Sequence, residues 1–249
     1  MYRAPLAIAL HGSNQRPAPV LRSGGPLAAS RSNPPRAFDP VQIGWLGGAV
    51  RDDLDPDNAD PLAPADDSLS ALDMALRHWH PRDAAQLRAL LDDPAVWAHL
   101  PEDFPHALCD RTAGEMIQIA NLAGHHQVRA VLLSGQPVGQ IRLDYGAQQA
   151  ATPIPERPEA EISYWLGRAR WGKGLGRAMV AGSVMRAFTN APGLLRLVAK
   201  VKPGNTGSRR VLENAGFARI APPAGRGFGN WNWFGLRRRR WAAARAQSL

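Results

Sequence analysis

The feature that most constrains this chain is the glycine-rich run at residues 171–176, which reads WGKGLG. An apolar stretch at 162–166 with strand character precedes the run, and a helix-forming stretch at 177–188 follows it. Glycines between a strand and a helix leave backbone N–H groups uncovered, and the helix N-terminus adds about half a positive charge at the same point. The run therefore predicts a phosphate-binding turn.

Two familiar nucleotide motifs do not fit this turn. A dinucleotide-binding fingerprint requires an acidic residue about 20 positions further on, and this sequence has Arg196 there. A P-loop ends in Gly-Lys-Ser/Thr, whereas Lys173 is followed by Gly174. The turn is therefore predicted to hold phosphate in another structural context.

The charge of the chain is unevenly distributed. Its formal net charge is +9, and residues 196–249 carry twelve Lys or Arg against one acid, Glu213. A basic region of this kind attracts anions such as a polyphosphate cofactor or nucleic acid. A solvated basic face is an alternative of equal weight.

Cysteine and histidine usage argues against a metal centre. Cys109 is the single cysteine, which excludes an internal disulfide and a cysteine-rich zinc site and suits a reducing compartment. The histidines are scattered without metal-ligand spacing. The apolar run at 6–10 is too short to span a membrane. We therefore predict a cytoplasmic protein without a metal or a membrane partner.

The N-terminal quarter differs in composition from the rest. Proline and glycine recur through residues 1–68, and residues 51–73 carry eight acids against one base. This composition predicts a disordered extension. A misassigned translation start upstream of Met74 is the alternative. A folded α/β domain is predicted over 69–241, with 242–249 as a tail.

The domain alternates between the two hydrophobic periodicities. Helices are predicted at 81–91, 94–100, 110–124, 174–188 and 205–215. Strands are predicted at 72–79, 127–133, 138–145, 159–167, 194–201, 217–221 and 231–237.

A second motif, at 205–217 (NTGSRRVLENAGF), gives the turn its context. Together the two motifs resemble the GNAT superfamily of acetyl-CoA-dependent N-acetyltransferases, over about residues 69–240. The form EISYWL followed by WGKG is most similar to the Rim-type branch, which includes acetyltransferases of ribosomal-protein N-termini. The resemblance implies a three-layer α/β (α+β) fold. Its mixed, mostly antiparallel twisted sheet would have six or seven strands, with helices on both faces.

The resemblance also implies how acetyl-CoA binds. A β-bulge would splay the strand at 159–167, so that its backbone holds the pantetheine arm, and the turn would hold the diphosphate. Gly174 and Gly176 would permit close approach of the ligand. Many members carry Gln or Arg in place of Trp171, so a side-chain contact there is doubtful. The cofactor-binding residues expected are Tyr164, Trp165, Leu166, Trp171, Gly172, Lys173, Gly174, Leu175, Gly176, Arg177, Asn205 and Ser208.

The implied reaction is direct attack of an amine on the thioester carbonyl. Leu212 stands where many members have a tyrosine that assists the departing thiolate, and Ser208 is expected to donate to the sulfur instead. A helix-capping role is the equal alternative for Ser208, and also the simpler role for Asn205. Glu161 is the candidate base or ammonium ligand, with a structural ion pair as its alternative. A backbone N–H near Leu166 is the expected oxyanion donor.

The sequence thus predicts an acyltransferase acting on a protein N-terminal α-amine or a small-molecule amine. The alternative is a non-catalytic module of the same fold that binds RNA or protein through its basic C-terminal region. The run at 237–240, beside Trp231, Trp233 and Trp241, would contact RNA or the ribosome, or form a solvated strand end. Monomer and homodimer both remain open.

Overall fold

The computed structural model describes Leu62, Leu69 and residues 73–100, 108–122, 125–146, 158–223 and 229–247. Apart from Leu62, the predicted extension at 1–68 lies outside these residues, so that prediction and its alternative are not tested. Leu62 and Leu69 are each 1% exposed and belong to the domain core. The core therefore includes a residue that we had assigned to the extension.

Seven strands form one sheet with the order β1-β2-β3-β4-β5-β7-β6. Neighbouring strands are antiparallel except for the central pair β4 and β5, which is parallel. The predicted mixed, mostly antiparallel sheet is confirmed. The strands are β1 (Met74–Arg77), β2 (His126–Leu133), β3 (Gln136–Asp144), β4 (Glu159–Leu166), β5 (Arg196–Val201), β6 (Ala218–Ile220) and β7 (Asn232–Arg237).

Six α-helices occur in the part of the chain that the structure describes. The first five match the predicted helices. The sixth was not predicted, and it occupies most of the segment that we expected to be a tail. Ala and Arg are strong helix formers, which explains why this segment is helical. The helices are α1 (Ala84–Leu91), α2 (Pro94–Trp97), α3 (Asp110–Asn121), α4 (Leu175–Asn190), α5 (Thr206–Asn214) and α6 (Arg238–Ala246).

Local capping accounts for where several helices begin. Asp93 Oδ1 accepts from the N–H of Ala95 at 2.8 Å before α2, and Asn205 Oδ1 accepts from the N–H of Ser208 at 2.9 Å before α5. Such caps satisfy N–H groups that have no partner within the helix. The capping role predicted for Asn205 is therefore present.

Two apolar cores lie on opposite faces of the sheet. Met179 of α4 and Leu212 of α5 belong to the first core, together with Ile162 of β4. Leu87 of α1 and Ile117 of α3 belong to the second. Because strand side chains alternate between faces, each face of the sheet contributes to one of these cores. Helices on both faces give the predicted three layers.

The central parallel seam is short. β4 and β5 pair only from Glu159–Arg196 to Glu161–Val198, and beyond that the strands diverge. β4 stays paired with β3 without a register shift as far as Leu166. β5 stays paired with β7 over its whole length. The β-bulge that we expected in β4 is thus absent from its ladder with β3. Each strand follows its outer neighbour, and a gap opens between them.

Candidate active site

The peptide groups of β4 alternate between β3 and the gap. The N–H of Gly167 donates to the carbonyl of Val138 at 2.9 Å, and Leu166 stands opposite Gly139. This pattern makes Leu166–Gly139 a non-hydrogen-bonded pair, in which the peptide groups point away from the partner strand. The backbone of Leu166, and of Tyr164 two residues earlier, therefore faces the gap. The backbone of Trp165 faces β3, so only its side chain is available to the site.

A cavity of about 600 Å³ occupies the gap and extends over the glycine turn and the first turn of α5. Of the predicted site residues, Lys173 is the one that does not line it, and its side chain is exposed to solvent. The structure thus brings together two motifs that are distant in sequence. The predicted residues lining the cavity are Glu161, Tyr164, Trp165, Leu166, Trp171, Gly172, Gly174, Leu175, Gly176, Arg177, Asn205 and Ser208.

The glycine turn opens onto this cavity as an exposed helix start. Gly172 and Gly174 have φ values of +72° and +76°, which L-residues with a Cβ rarely adopt. Gly174 is the N-cap of α4, and no side chain caps that helix. The first N–H groups of α4 and its positive dipole end are therefore available to an anion.

The structure shows a requirement within the protein at both Gly174 and Gly176, in addition to the predicted close approach of a ligand. A Cβ on Gly174 would have no protein atom within 4 Å, so the requirement seen within the protein is conformational. A Cβ on Gly176 would lie 3.3 Å from Cγ2 of Val211. Gly176 therefore allows α4 and α5 to pack closely, which positions the second motif beside the first.

Trp171 uses its side chain within the protein. Its indole N–H donates to the carbonyl of Leu166 at 2.8 Å, and its ring centroid lies 6.1 Å from that of His99. The bond engages one of the two Leu166 peptide groups that face the gap. It thereby fixes the end of β4 beside the Leu166 N–H.

Ser208 lies in the first turn of α5 and is in contact with a tyrosine. Its Oγ donates to the phenol oxygen of Tyr164 at 2.8 Å, and that phenol donates to the Ser208 carbonyl at 3.2 Å. Burial raises the pKa of Tyr164 well above its usual value, and the bond from Ser208 only partly offsets this. Leu212, at the position of the missing tyrosine, is fully buried. Sequence alone gave no sign that Tyr164 would reach Ser208.

Glu161 is engaged in an ion pair. Its carboxylate lies 3.1 Å from Nζ of Lys200 on β5, and both side chains are largely buried. Lys200 in turn stands 5.8 Å from the ring centroid of Trp231. The ion pair anticipated as an alternative for Glu161 is therefore present at the start of the gap.

Further charged groups stand on the same face of the sheet, on the side of α1 and α3. Asp144 is opposite both His126 and Glu161 in the strand register, and it forms an ion pair with Arg142 at 2.6 Å. Burial, and then the positive charge of Arg142, lower the pKa of His126 to about 4. His126 is therefore neutral at physiological pH. The sequence analysis gave none of His126, Arg142 and Asp144 a role in the site, whereas the structure shows that all three line the cavity.

The basic C-terminal region is partly structural. The Arg238 guanidinium donates to the carbonyls of Phe188 at 2.5 Å, Leu194 at 2.7 Å and Ala191, which lie at and just beyond the last turn of α4. The ring of Trp241 packs 5.2 Å from that of Phe188. Arg238 and Trp241 therefore attach α6 to the domain.

Metal-binding clusters and membrane-spanning helices are both absent from the described residues. No cluster of three or more His, Cys, Asp or Glu side chains suitable for a metal ion occurs there. No helix within the same residues has the length and apolar character needed to cross a membrane.

The divided sheet and the uncapped helix start together form a gap whose shape and polar groups suit an extended, phosphate-bearing ligand. Residues 73–218 match the family model described as the acetyltransferase (GNAT) domain, and the chain belongs to this family of acyltransferases. The family predicted from the two motifs is confirmed. Acetyl-CoA is accordingly the co-substrate.

Solved structures of the same fold cover most of the domain. Aminoglycoside acetyltransferase AAC(6')-Ib in complex with coenzyme A is 18% identical, with a TM-score of 0.55, and the match covers 69% of this chain and 99% of that one. RimJ from Mycobacterium smegmatis with CoA-disulfide is 23% identical, with a TM-score of 0.54, over 69% and 88% of the two chains. RimL, the ribosomal L7/L12 alpha-N-protein acetyltransferase, is 16% identical, with a TM-score of 0.53, over 66% and 93%.

A curated relative matches over a shorter segment. The uncharacterized N-acetyltransferase p20 of Bacillus licheniformis is 42% identical over 62 residues, which is 25% of this chain. The match spans about a third (34%) of that relative's length.

Proposed function

We propose that this protein transfers the acetyl group of acetyl-CoA to a primary amine by direct attack, the amine being a protein N-terminal α-amine or a small molecule. One observation carries the proposal. The uncapped start of α4 and the gap-facing backbone of Tyr164 and Leu166 open into one cavity. This geometry suits a ligand with a diphosphate at one end and amides along an extended arm.

In this proposal the ligand lies along β4. The N–H groups of residues 172–176 bind the diphosphate through charge-assisted hydrogen bonds, which are about twice as strong as neutral ones. The Arg177 N–H is not among them, because it donates to the Gly174 carbonyl at 3.1 Å. The backbone of Tyr164 pairs with the pantetheine amides as a neighbouring strand would, and the Leu166 carbonyl accepts a second bond from them beside that from Trp171. The thioester then lies near the Leu166 N–H and the first turn of α5, where Ser208 lines the cavity.

The chemistry requires a neutral amine, an oxyanion donor and a hydrogen bond to the departing thiolate. The Leu166 N–H serves as the oxyanion donor, and Ser208 serves the thiolate. Glu161 is engaged with Lys200, so we assign it to holding the incoming ammonium rather than to a strong base. An α-amine has a pKa of about 8 and a lysine side chain one of about 10.4. A site without a strong base favours the α-amine or a small amine of low pKa.

The proposed acceptor site is the charged face on the side of α1 and α3. Asp144 and Glu161 stand opposite each other there and line the cavity. Carboxylates attract a cationic amine, and the neighbouring Arg142 and Lys200 limit the net charge. RimL is by its name an α-N-protein acetyltransferase and AAC(6')-Ib an aminoglycoside acetyltransferase. Both acceptor classes are therefore included in the proposal.

The test combines binding with turnover. Isothermal titration with acetyl-CoA is expected to show one site, and thiol release is expected with one acceptor class in a screen of N-terminal peptides, small amines and aminoglycosides. Gly174→Ala is the variant to compare with the wild type in both measurements. It alters the helix start that is proposed to bind phosphate, and its added Cβ contacts no other part of the protein. Wild-type protein that does not bind acetyl-CoA would contradict the proposal.

Contact with RNA or the ribosome is a further part of the proposal, carried by α6. Arg237, Arg239 and Arg240 are exposed, whereas Arg238 is engaged with α4. Phosphate contacts by three arginines predict RNA binding that weakens steeply between 50 and 200 mM salt. Binding to a structured ribosomal RNA fragment that is the same in the triple alanine variant would exclude this contact.

A further inference from the structure

A hydroxyl pair formed by Tyr164 and Ser208 connects the two walls of the cavity. The residues are 44 positions apart and come from β4 and α5. The Ser208 Oγ–H and the Tyr164 O–H each have an acceptor within the pair, at 2.8 Å and 3.2 Å. Both residues also line the cavity. The hydroxyl pair is therefore at the surface that a ligand in the gap contacts.

The backbone holds both partners in place. Tyr164 lies between Ile162 and Leu166 on the β4 face that packs against α4 and α5. Ser208 is the third residue of α5, and its N–H is held by Asn205 Oδ1. With both backbones held, the phenol oxygen lies within hydrogen-bonding distance of Ser208 Oγ and can set the direction of the Ser208 hydroxyl.

We infer that Tyr164 is a positioning residue for the departing thiolate, which acts by donating to Ser208 Oγ while the Ser208 hydroxyl donates to the sulfur. The inference rests on the proposed function. In the resting arrangement the Ser208 hydroxyl donates to the phenol. When negative charge develops on sulfur, both hydroxyls reorient, so that the phenol donates to Ser208 and Ser208 donates to sulfur. A tyrosine from β4 thus supports the step at which Leu212 cannot act.

The step balances without proton loss from either hydroxyl. The amine nitrogen forms a bond to the thioester carbon, and the carbonyl π electrons move to oxygen. The intermediate collapses, the carbon–sulfur bond breaks, and its electron pair stays on sulfur. The amine proton passes to solvent, so the products are the amide, the CoA thiolate and one proton.

Burial supports a donor that keeps its proton. It raises the pKa of Tyr164 well above its usual range. The phenol therefore remains protonated over the pH range in which a thiol ionises, and it can donate throughout. A phenol that ionised early would instead place a negative charge beside the thiolate and oppose its formation.

The decisive experiment measures the ionisation of the thiol of bound CoA and needs no acceptor. CoA is titrated from pH 6 to 10 in complex with the protein while thiolate absorbance is recorded. The acetyl-CoA complex, which has no free thiol, serves as the blank. The hydrogen bond from Ser208 to sulfur, strengthened by the bond from Tyr164 to Ser208, favours the thiolate, so we expect the bound thiol to ionise about one pH unit lower in the wild type than in Ser208→Ala. Nearby Arg177 and Arg210 are unchanged in both proteins and cancel in the comparison.

Tyr164→Phe is the critical variant because it keeps the ring and removes one hydroxyl. We expect it to raise the thiol pKa towards that of Ser208→Ala. The Kd for acetyl-CoA is measured alongside, and the backbone of residue 164, which we assign to the pantetheine amides, is kept by the substitution. In Ser208→Ala/Tyr164→Phe we expect the value of Ser208→Ala alone, because Tyr164 acts through Ser208. Ser208→Thr keeps a hydroxyl and is expected to stay close to the wild type.

The outcomes separate this inference from the proposed function. Wild-type protein that binds no CoA overturns the proposed function and the inference with it. Protein that binds CoA with the same thiol pKa in wild type and Tyr164→Phe overturns the inference alone. A Tyr164→Phe variant that weakens acetyl-CoA binding tenfold without changing the thiol pKa shows a structural tyrosine and also overturns the inference.

Discussion

The indole N–H of Trp171 donates to the carbonyl of Leu166 over 2.8 Å, at the point where β4 no longer has β5 as a neighbour. The glycine turn and the last residue of β4 are thus held together by a side chain from the turn itself. The two parts of the cavity that we propose to bind the diphosphate and the amides are therefore fixed relative to each other.

Replacing Trp171 with phenylalanine removes this donor and keeps a ring beside His99. The loss of one hydrogen bond is worth about 1 kcal/mol, so we expect the Kd for acetyl-CoA to rise about fivefold. Trp171→Gln keeps an N–H donor and serves as the control. Isothermal titration distinguishes them, and equal affinity of the wild type and the phenylalanine variant would show that the bond has no role in binding.

Gly174→Ala places a side chain at a φ of +76°. The left-handed conformation costs an L-residue roughly 1–2 kcal/mol. We therefore expect the free energy of unfolding, measured with urea, to fall by this amount, and we expect acetyl-CoA to bind more weakly. Gly204→Ala is the matched control, since a Cβ there meets nothing within 4 Å and its φ is not in the left-handed region. Equal stability of the two variants would contradict a conformational requirement at Gly174.

Arg238→Ala removes the guanidinium that donates hydrogen bonds to three carbonyls, one in the last turn of α4 and two just after it. Partly buried carbonyls without partners are costly, and we expect a loss of about 2–3 kcal/mol in the free energy of unfolding. Arg239→Ala, next in sequence and exposed, is expected to change it by less than about 0.5 kcal/mol. Thermal or urea unfolding checks both, and a similar loss in the two variants would assign the effect to charge alone.

His126 makes the free energy of unfolding depend on pH, and the sign of this dependence is known. Its folded-state pKa is lowered to about 4 by burial and by Arg142, whereas an unfolded histidine has a pKa of about 6.5. The unfolded chain therefore binds more protons between these values, and stability falls as the pH drops from about 6.5 to about 4. The full difference corresponds to about 3 kcal/mol.

His126→Gln, which cannot titrate, is expected to flatten this dependence over the same range. Urea unfolding at pH 7, 5.5 and 4.5 provides the measurement, with His99→Gln, at a histidine that also lines the cavity, as the control. If the free energy of unfolding changes with pH by the same amount in the wild type and in His126→Gln, the pH dependence comes from other groups.

The elements predictable from sequence are those specified by neighbours along the chain. Asn205 caps α5 through the N–H three residues later. The apolar alternation of β4 places Tyr164 and Glu161 on opposite faces, which the structure bears out in their different contacts. The start of α6 was missed because the Arg238 contacts come from residues more than 40 positions away.

The parts of the site that could not be predicted depend on how distant elements pack. Glu161 meets Lys200 because two parallel strands share a particular register, and no local pattern specifies that register. Tyr164 meets Ser208 because α5 packs against α4 beside Gly176. The two motifs could name the cavity residues that lie within or next to them, but the partners of those residues, and lining residues such as His126 and Asp144, required the tertiary structure.

The short parallel seam makes the sheet incomplete in the part of the chain that the structure describes. Its two halves, β1 to β4 and β5 to β7, share only the pairs from Glu159–Arg196 to Glu161–Val198. An extended ligand whose amides bond to the backbone of Tyr164 and Leu166 would supply hydrogen bonds that β5 does not make there. The coenzyme would then be a temporary eighth strand, and the mechanical stiffness of the sheet would rise and fall with each turnover.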